Sequence, residues 1–84
     1  MTNETLLRNA IARNGMKIKF VAERIELSYQ GFLNKMTGKS EFNAKEIVNL
    51  CKLLHIERHE RDNIFFAKEV DETSSRKGDN DENY

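Results

Sequence analysis

From Leu7 to Leu54 the apolar residues of this chain recur three and four positions apart in short runs, with a glycine or a capping side chain between one run and the next. Such spacing lines up side chains along one stripe of an α-helix, whereas a strand would need alternation. No proline interrupts a run, and only four glycines occur in 84 residues. The pattern predicts an all-α fold, a compact bundle of about five helices with short connections and no sheet. At this length there is one domain at most and a modest core, too little bulk for a deep enclosed active site.

The first helix is expected to begin after Thr2 or Asn3, to carry Leu7, Ala10, Ile11 and Asn14 on one side, and to stop at Gly15. A second follows at once, with Ile18, Val21, Ala22 and Ile25 at i, i+3, i+4 and i+7, and Lys17, Lys19, Glu23 and Arg24 facing away. Phe20 lies off that stripe. Glu26 and Leu27 break the pattern. Ser28 is a natural N-cap for a third helix from Tyr29 to about Thr37, ended by Gly38, with Phe32 and Met36 as its buried stripe. Asn43 with Glu46 three residues later reads as a capping box opening a fourth helix, whose apolar positions are Ile47, Leu50, Cys51 and Leu54.

Beyond Ile56 a polar run from Glu57 to Asn63 leads to Ile64, Phe65, Phe66, Ala67 and Val70, which predict a fifth, shorter helix. The domain is accordingly placed at residues 1–70. Residues 71–84 are too polar to fold alone and are expected to form a disordered acidic tail.

The formal charge is zero, with 14 Lys and Arg against 14 Asp and Glu. The distribution is uneven. Between Arg8 and Lys39 seven basic residues face only Glu23 and Glu26, an excess of +5, while in the tail Asp71, Glu72, Asp79, Asp81 and Glu82 outnumber Arg76 and Lys77 by three. A basic island of this kind is the footprint of a polyanionic partner. The single cysteine, Cys51, cannot form an internal disulfide, and the N-terminus lacks the apolar stretch of a secretory signal or membrane span, so a cytoplasmic location and no membrane partner are expected.

Two short helices joined by a tight turn, the second exposing polar side chains beside basic residues, form the geometry that inserts one helix into a DNA major groove. On Val21 and Ala22 in the second helix, Ile25, Leu27 and Ser28 through the turn, Phe32 in the third helix and Gly38-Lys39 after it, the segment from Leu6 to Leu54 resembles the Cro/C1-type (XRE-like) helix-turn-helix family of phage repressors and small bacterial regulators. The resemblance implies a lambda-repressor-like fold and a transcriptional regulator of the short Cro-like type found in phages and mobile elements, working in the bacterial cytoplasm or nucleoid. Two positions depart from the family pattern. Glu26 stands where many members have a glycine in the turn, and is expected to strain the backbone by about 1 kcal/mol. Lys35 replaces a buried aliphatic residue. Ala22 suits a close crossing of the two helices, and Gly31 is expected to serve that crossing from the other side.

By position the resemblance turns Tyr29, Gln30 and Asn34 toward the groove. Glutamine and asparagine amides can each offer adenine one donor and one acceptor, so Gln30 and Asn34 are the candidates for base readout, with Tyr29 packing on a thymine methyl or meeting a phosphate. Lys17, Lys19, Ser28, Lys35, Lys39 and Ser40 are the candidates for phosphate contacts. One such domain reads few base pairs, so the expected partner is double-stranded operator DNA bound by a homodimer, with half-sites about 34 Å apart. Ile64, Phe65 and Phe66 are a candidate interface, although adjacent aromatics such as Phe65 and Phe66 at the end of a small domain more often form its hydrophobic lid, and one of the two could serve each purpose.

Competing readings are weaker. The polar face of the third helix could be a solvated surface, but the turn and caps around it argue otherwise. Cys51, His55 and His59 fall at steps of four, a spacing that can bind zinc. Cys51 nevertheless lies in an apolar register, and the helix should end near His55, so no metal is assigned. There is no phosphate-cradling glycine loop and no nucleophile with an evident base, so neither catalysis, a cofactor nor a small-molecule substrate is expected. The principal alternative from another class is a protein-interaction module on the same fold, antirepressor-like or antitoxin-like, that does not itself bind DNA.

Overall fold

Side-chain caps decide where three of the helices begin. Asn3 Oδ1 accepts the Leu6 N–H at 3.0 Å, Ser28 Oγ accepts the Gly31 N–H at 3.0 Å, and Asn43 Oδ1 accepts the Glu46 N–H at 2.8 Å. Glu46 Oε1 in turn accepts the Asn43 N–H at 2.9 Å and completes the capping box. A computed structural model describes residues 1–67. Its five helices are α1 (Glu4–Arg13), α2 (Ile18–Arg24), α3 (Tyr29–Met36), α4 (Ala44–Leu54) and α5 (Arg58–Phe65). The described residues contain no strand, and none of their helices is long and apolar enough to cross a membrane.

The first four helices end in one way. After each, a residue takes the left-handed conformation: Gly15 at φ 69°, Glu26 at φ 65°, Gly38 at φ 93° and His55 at φ 55°. The next amide then reaches back five residues, Met16 to the Ile11 carbonyl, Leu27 to Ala22, Lys39 to Asn34 and Ile56 to Cys51. This Schellman-type closure satisfies carbonyls the helix leaves open and turns the chain sharply, so a connection of a few residues suffices. Glycine adopts the conformation without a Cβ penalty at two of the four positions. Glu26 and His55 carry the strain, as expected for Glu26.

The core gathers one stripe from every helix. Leu7, Ala10 and Ile11 of α1, Val21 and Ala22 of α2, Phe32 and Met36 of α3, Leu50 and Leu54 of α4 and Ile64 of α5 are all within a few per cent of complete burial. Phe42, in the connection between α3 and α4, is also buried and stacks edge-on between Phe32 and Phe65, with both centroid distances 5.6 Å. Asn14 turns inward and donates Nδ2–H to the carbonyls of Ala10 at 2.7 Å and Leu54 at 2.9 Å, tying the ends of α1 and α4 together.

Two expectations are corrected. The fifth helix is the polar run itself, Arg58–Phe65, and does not begin at Ile64; Val70 and the tail at 71–84 lie outside the described residues. A helix that touches the core mainly through its last turn has almost no apolar stripe to detect. It is held by contacts distant in sequence, the Arg13–Glu60 ion pair at 2.8 Å and the Asn3 N–H donated to the Ile64 carbonyl at 2.6 Å. Gly31 does not serve the crossing of α2 and α3. A Cβ there would meet Ser28 Oγ at 2.9 Å, so the glycine makes room for the cap of its own helix.

Candidate nucleic-acid interface

The turn between α2 and α3 runs through Ile25, Glu26 and Leu27. Ile25 is buried and Leu27 packs against the core, which anchors the turn from beneath. The Ser28 cap then launches α3 with Phe32 and Met36 directed inward. Helical periodicity consequently leaves Tyr29, Gln30 and, less fully, Asn34 at the surface. Tyr29 is about half exposed.

Gln30 and Asn34 are coupled. Gln30 Nε2 donates to Asn34 Oδ1 at 3.0 Å, one turn along the same face. Gln30 keeps its Oε1 and a second Nε2–H, the acceptor and donor that an adenine edge matches, while Asn34 keeps both of its Nδ2–H groups. The pair is preorganised as one polar edge.

Cations flank α3 at both ends. Lys17 and Lys19 are exposed at the start of α2 and line one depression together with Arg8, Ile18 and Tyr29. The first turn of α2 contains no acidic residue, so the helix dipole disfavours these cations and an external anion would relieve them. Lys39 and Ser40 are exposed just past the other end of α3. Ser28 Oγ spends a lone pair on the Gly31 N–H, yet its hydroxyl proton can still be donated to a phosphate oxygen.

Lys35 stands apart from the other phosphate candidates. Its ammonium lies 2.7 and 2.9 Å from the two Glu46 carboxylate oxygens, and the paired side chains are only 20% and 12% exposed. Partial burial pushes the Glu46 carboxyl up, but the hydrogen bond from Lys35, the Asn43 N–H and the Lys35 charge outweigh it and hold the group below the ordinary carboxylate value. The pair pins the last turn of α3 to the first turn of α4. Lys35 thus meets a carboxylate instead of open solvent.

Arg8, counted in the basic island, was not among the candidates for phosphate contact. It lies on α1, outside the α2–turn–α3 segment, and only the packing of α1 against α2 brings it to the depression beside Tyr29. Its Nε also donates to Glu4 Oε2 at 2.8 Å, an exposed i, i+4 pair that a phosphate could readily displace.

The possible zinc-binding face does not form. α4 stops at Leu54 and His55 turns left-handed, so Cys51, His55 and His59 do not share one helix. Burial pushes the Cys51 thiol pKa up, which keeps it protonated near neutrality. Among the described residues no group of three His, Cys, Asp or Glu side chains is arranged to hold a metal ion.

Residues 1–67 hold eleven Lys and Arg against eight Asp and Glu, so the helical region is basic although the whole chain is neutral. No family model matches the chain, and no curated protein or solved structure matches it.

Proposed function

We propose that the chain is a sequence-specific, double-stranded DNA-binding regulator of transcription in the manner of the Cro-like helix-turn-helix proteins it resembles. In this reading α3 enters the major groove of operator DNA. Gln30 and Asn34 meet base edges, Tyr29 contacts a thymine methyl or a phosphate, and Lys17, Lys19, Ser28, Lys39, Ser40 and Arg8 hold the backbone. Lys35 acts behind α3 and sets its angle. The observation that carries the reading is the joined, surface-facing Gln30–Asn34 edge with exposed Lys17 and Lys19 toward one end and exposed Lys39 at the other.

Operator-length recognition calls for two copies. Ile64 and Phe65 are buried in the core, so of the three residues considered for an interface only Phe66, 55% exposed, remains available. It shares an apolar depression with Val48, Ile47 and Ala44, and that face is the one we assign to the homodimer. Regulation then follows from occupancy of DNA and includes no catalytic step, cofactor or small-molecule substrate.

Titrating binding to random-sequence duplex DNA against salt tests the reading. A regulator that sets four cations per copy on phosphates loses affinity steeply between about 50 and 200 mM salt. A protein-interaction module on the same fold binds such duplexes weakly at every ionic strength, and that result would replace the DNA reading with this second one.

A further inference from the structure

Phe20 is the one aromatic side chain of α2, and the core does not use it. The ring is 42% exposed, and the Arg24 guanidinium carbon lies 5.7 Å from its centroid, a cation–π distance. An open depression runs past it, walled by Gly15, Met16, Lys17, Lys19 and Glu23. Lys17 and Lys19 also wall the neighbouring depression that reaches Tyr29. Among the described residues none of Lys17, Lys19 and Arg24 forms an ion pair. The surface therefore offers one apolar ring among three cations that form no ion pair, with Glu23 the single acidic residue on the same wall, and two of those cations are among those assigned to DNA phosphates.

A ligand complementary to this surface carries several carboxylates and an aromatic ring close together. The chain has such a stretch. Asp79, Asp81 and Glu82 fall within four residues of one another, and Tyr84, two positions on, is the sole aromatic residue after Phe66. Asp79 lies twelve residues beyond Ala67. Fully extended, the seventeen residues from Ala67 to Tyr84 span about 56 Å, more than the roughly 47 Å of a path halfway round a globule about 30 Å across, so the end of the stretch can reach any face. Tethering also gives it an effective concentration on the order of millimolar, enough for weak exposed charge pairs to compete with a ligand in solution.

We infer that residues 79–84 dock on the Lys17–Lys19–Phe20–Arg24 face of their own chain, the carboxylates meeting the cations and Tyr84 packing on Phe20. Resting on the DNA reading above, this contact makes the acidic stretch a built-in competitor for the phosphate-binding lysines. Non-specific duplexes, held by phosphate contacts alone, are discouraged most, and a cognate site with its base contacts displaces the stretch. Salt weakens both partners of the competition.

The test compares the full-length protein with its D79N/D81N/E82Q variant by amide NMR at about 50 mM salt. Docking predicts shift differences concentrated between Gly15 and Arg24, independent of protein dilution and erased at about 0.5 M salt. The full-length F20S variant should erase them at low salt. Superimposable spectra, or differences centred on Val48 and Phe66 instead, would overturn the inference. Differences that fade on dilution would also overturn it, because they assign the occupant to a second copy. A parallel titration with random duplex separates the two readings: the acid-neutralised variant should bind about three- to tenfold more tightly at low salt. If neither form binds DNA while the shifts remain, the docking stands and the regulatory reading falls.

Discussion

Lys35 and Glu46 join the end of the proposed recognition helix to the start of the next, with the ammonium 2.7 and 2.9 Å from the two carboxylate oxygens. Glu46 performs two tasks at once, because the same carboxylate accepts the Asn43 N–H that opens α4. The orientation of α3 is therefore coupled to the integrity of a helix cap one connection away.

Replacing Glu46 with glutamine should cost about 1–2 kcal/mol, the range for a partly buried charged hydrogen bond. Lys35→Met should cost less, since the Asn43 N–H still supports the carboxylate. A double-mutant cycle in urea should give a non-zero coupling energy. The pH dependence has a definite sign. Because folding lowers the Glu46 pKa from about 4.5, its contribution is complete above that value and disappears as pH falls through the lower folded value. Wild-type stability should thus fall below about pH 4.5 more steeply than that of the Glu46→Gln variant.

Glu26 closes α2 at φ 65°, a conformation that disfavours any residue with a Cβ. Glu26→Gly should stabilise the fold by up to about 1 kcal/mol, part of the relief being offset by the freer unfolded chain. A gain of this size raises the melting temperature of a small domain by roughly 4–8 °C. A lower melting temperature would show that the carboxylate has a role the closure alone does not explain.

Gly31 and Ser28 should behave non-additively. Gly31→Ala gains about 1 kcal/mol of helix propensity but displaces the Ser28 hydroxyl from its cap, at a similar loss, so the single change should be nearly neutral. With the hydroxyl already removed by Ser28→Ala, the same change should stabilise by about 1 kcal/mol. Chemical denaturation of the four proteins measures the difference.

The caps and turns at these positions were legible in the chain because their signals are local: Ser28 before a helical run, Asn43 with Glu46 three residues on, glycine after a stripe. Phe42 carried no such signal, since a single aromatic residue in a connection belongs to no period. α5 was misplaced for the same reason, its position being fixed by Arg13, Asn3 and the core instead of by a stripe of its own. The partners of Lys35 and the proximity of Arg8 to Tyr29 depend on packing between helices. The Gln30–Asn34 bond, by contrast, follows from a spacing of four on one helix.

Gln30 and Lys39 should fail differently on DNA. Gln30→Ala removes an acceptor and donor pair and should relax preference at one base pair by about 1–3 kcal/mol. Lys39→Ala should weaken all duplexes alike and flatten the salt slope by about one unit. Fluorescence anisotropy on a cognate site and its single-base variants distinguishes the two. Identical behaviour would contradict the division between base and phosphate contacts.

Selection of bound sequences from a random duplex pool, carried out with the full-length protein, tests the exposure of α3 to base edges most directly. The proposed function predicts enrichment of a two-fold symmetric site with half-site centres about 10 base pairs apart, and loss of preference at one position in each half when Gln30 is replaced by alanine. A pool that emerges without enrichment, or whose preferences ignore the Gln30 substitution, would contradict it.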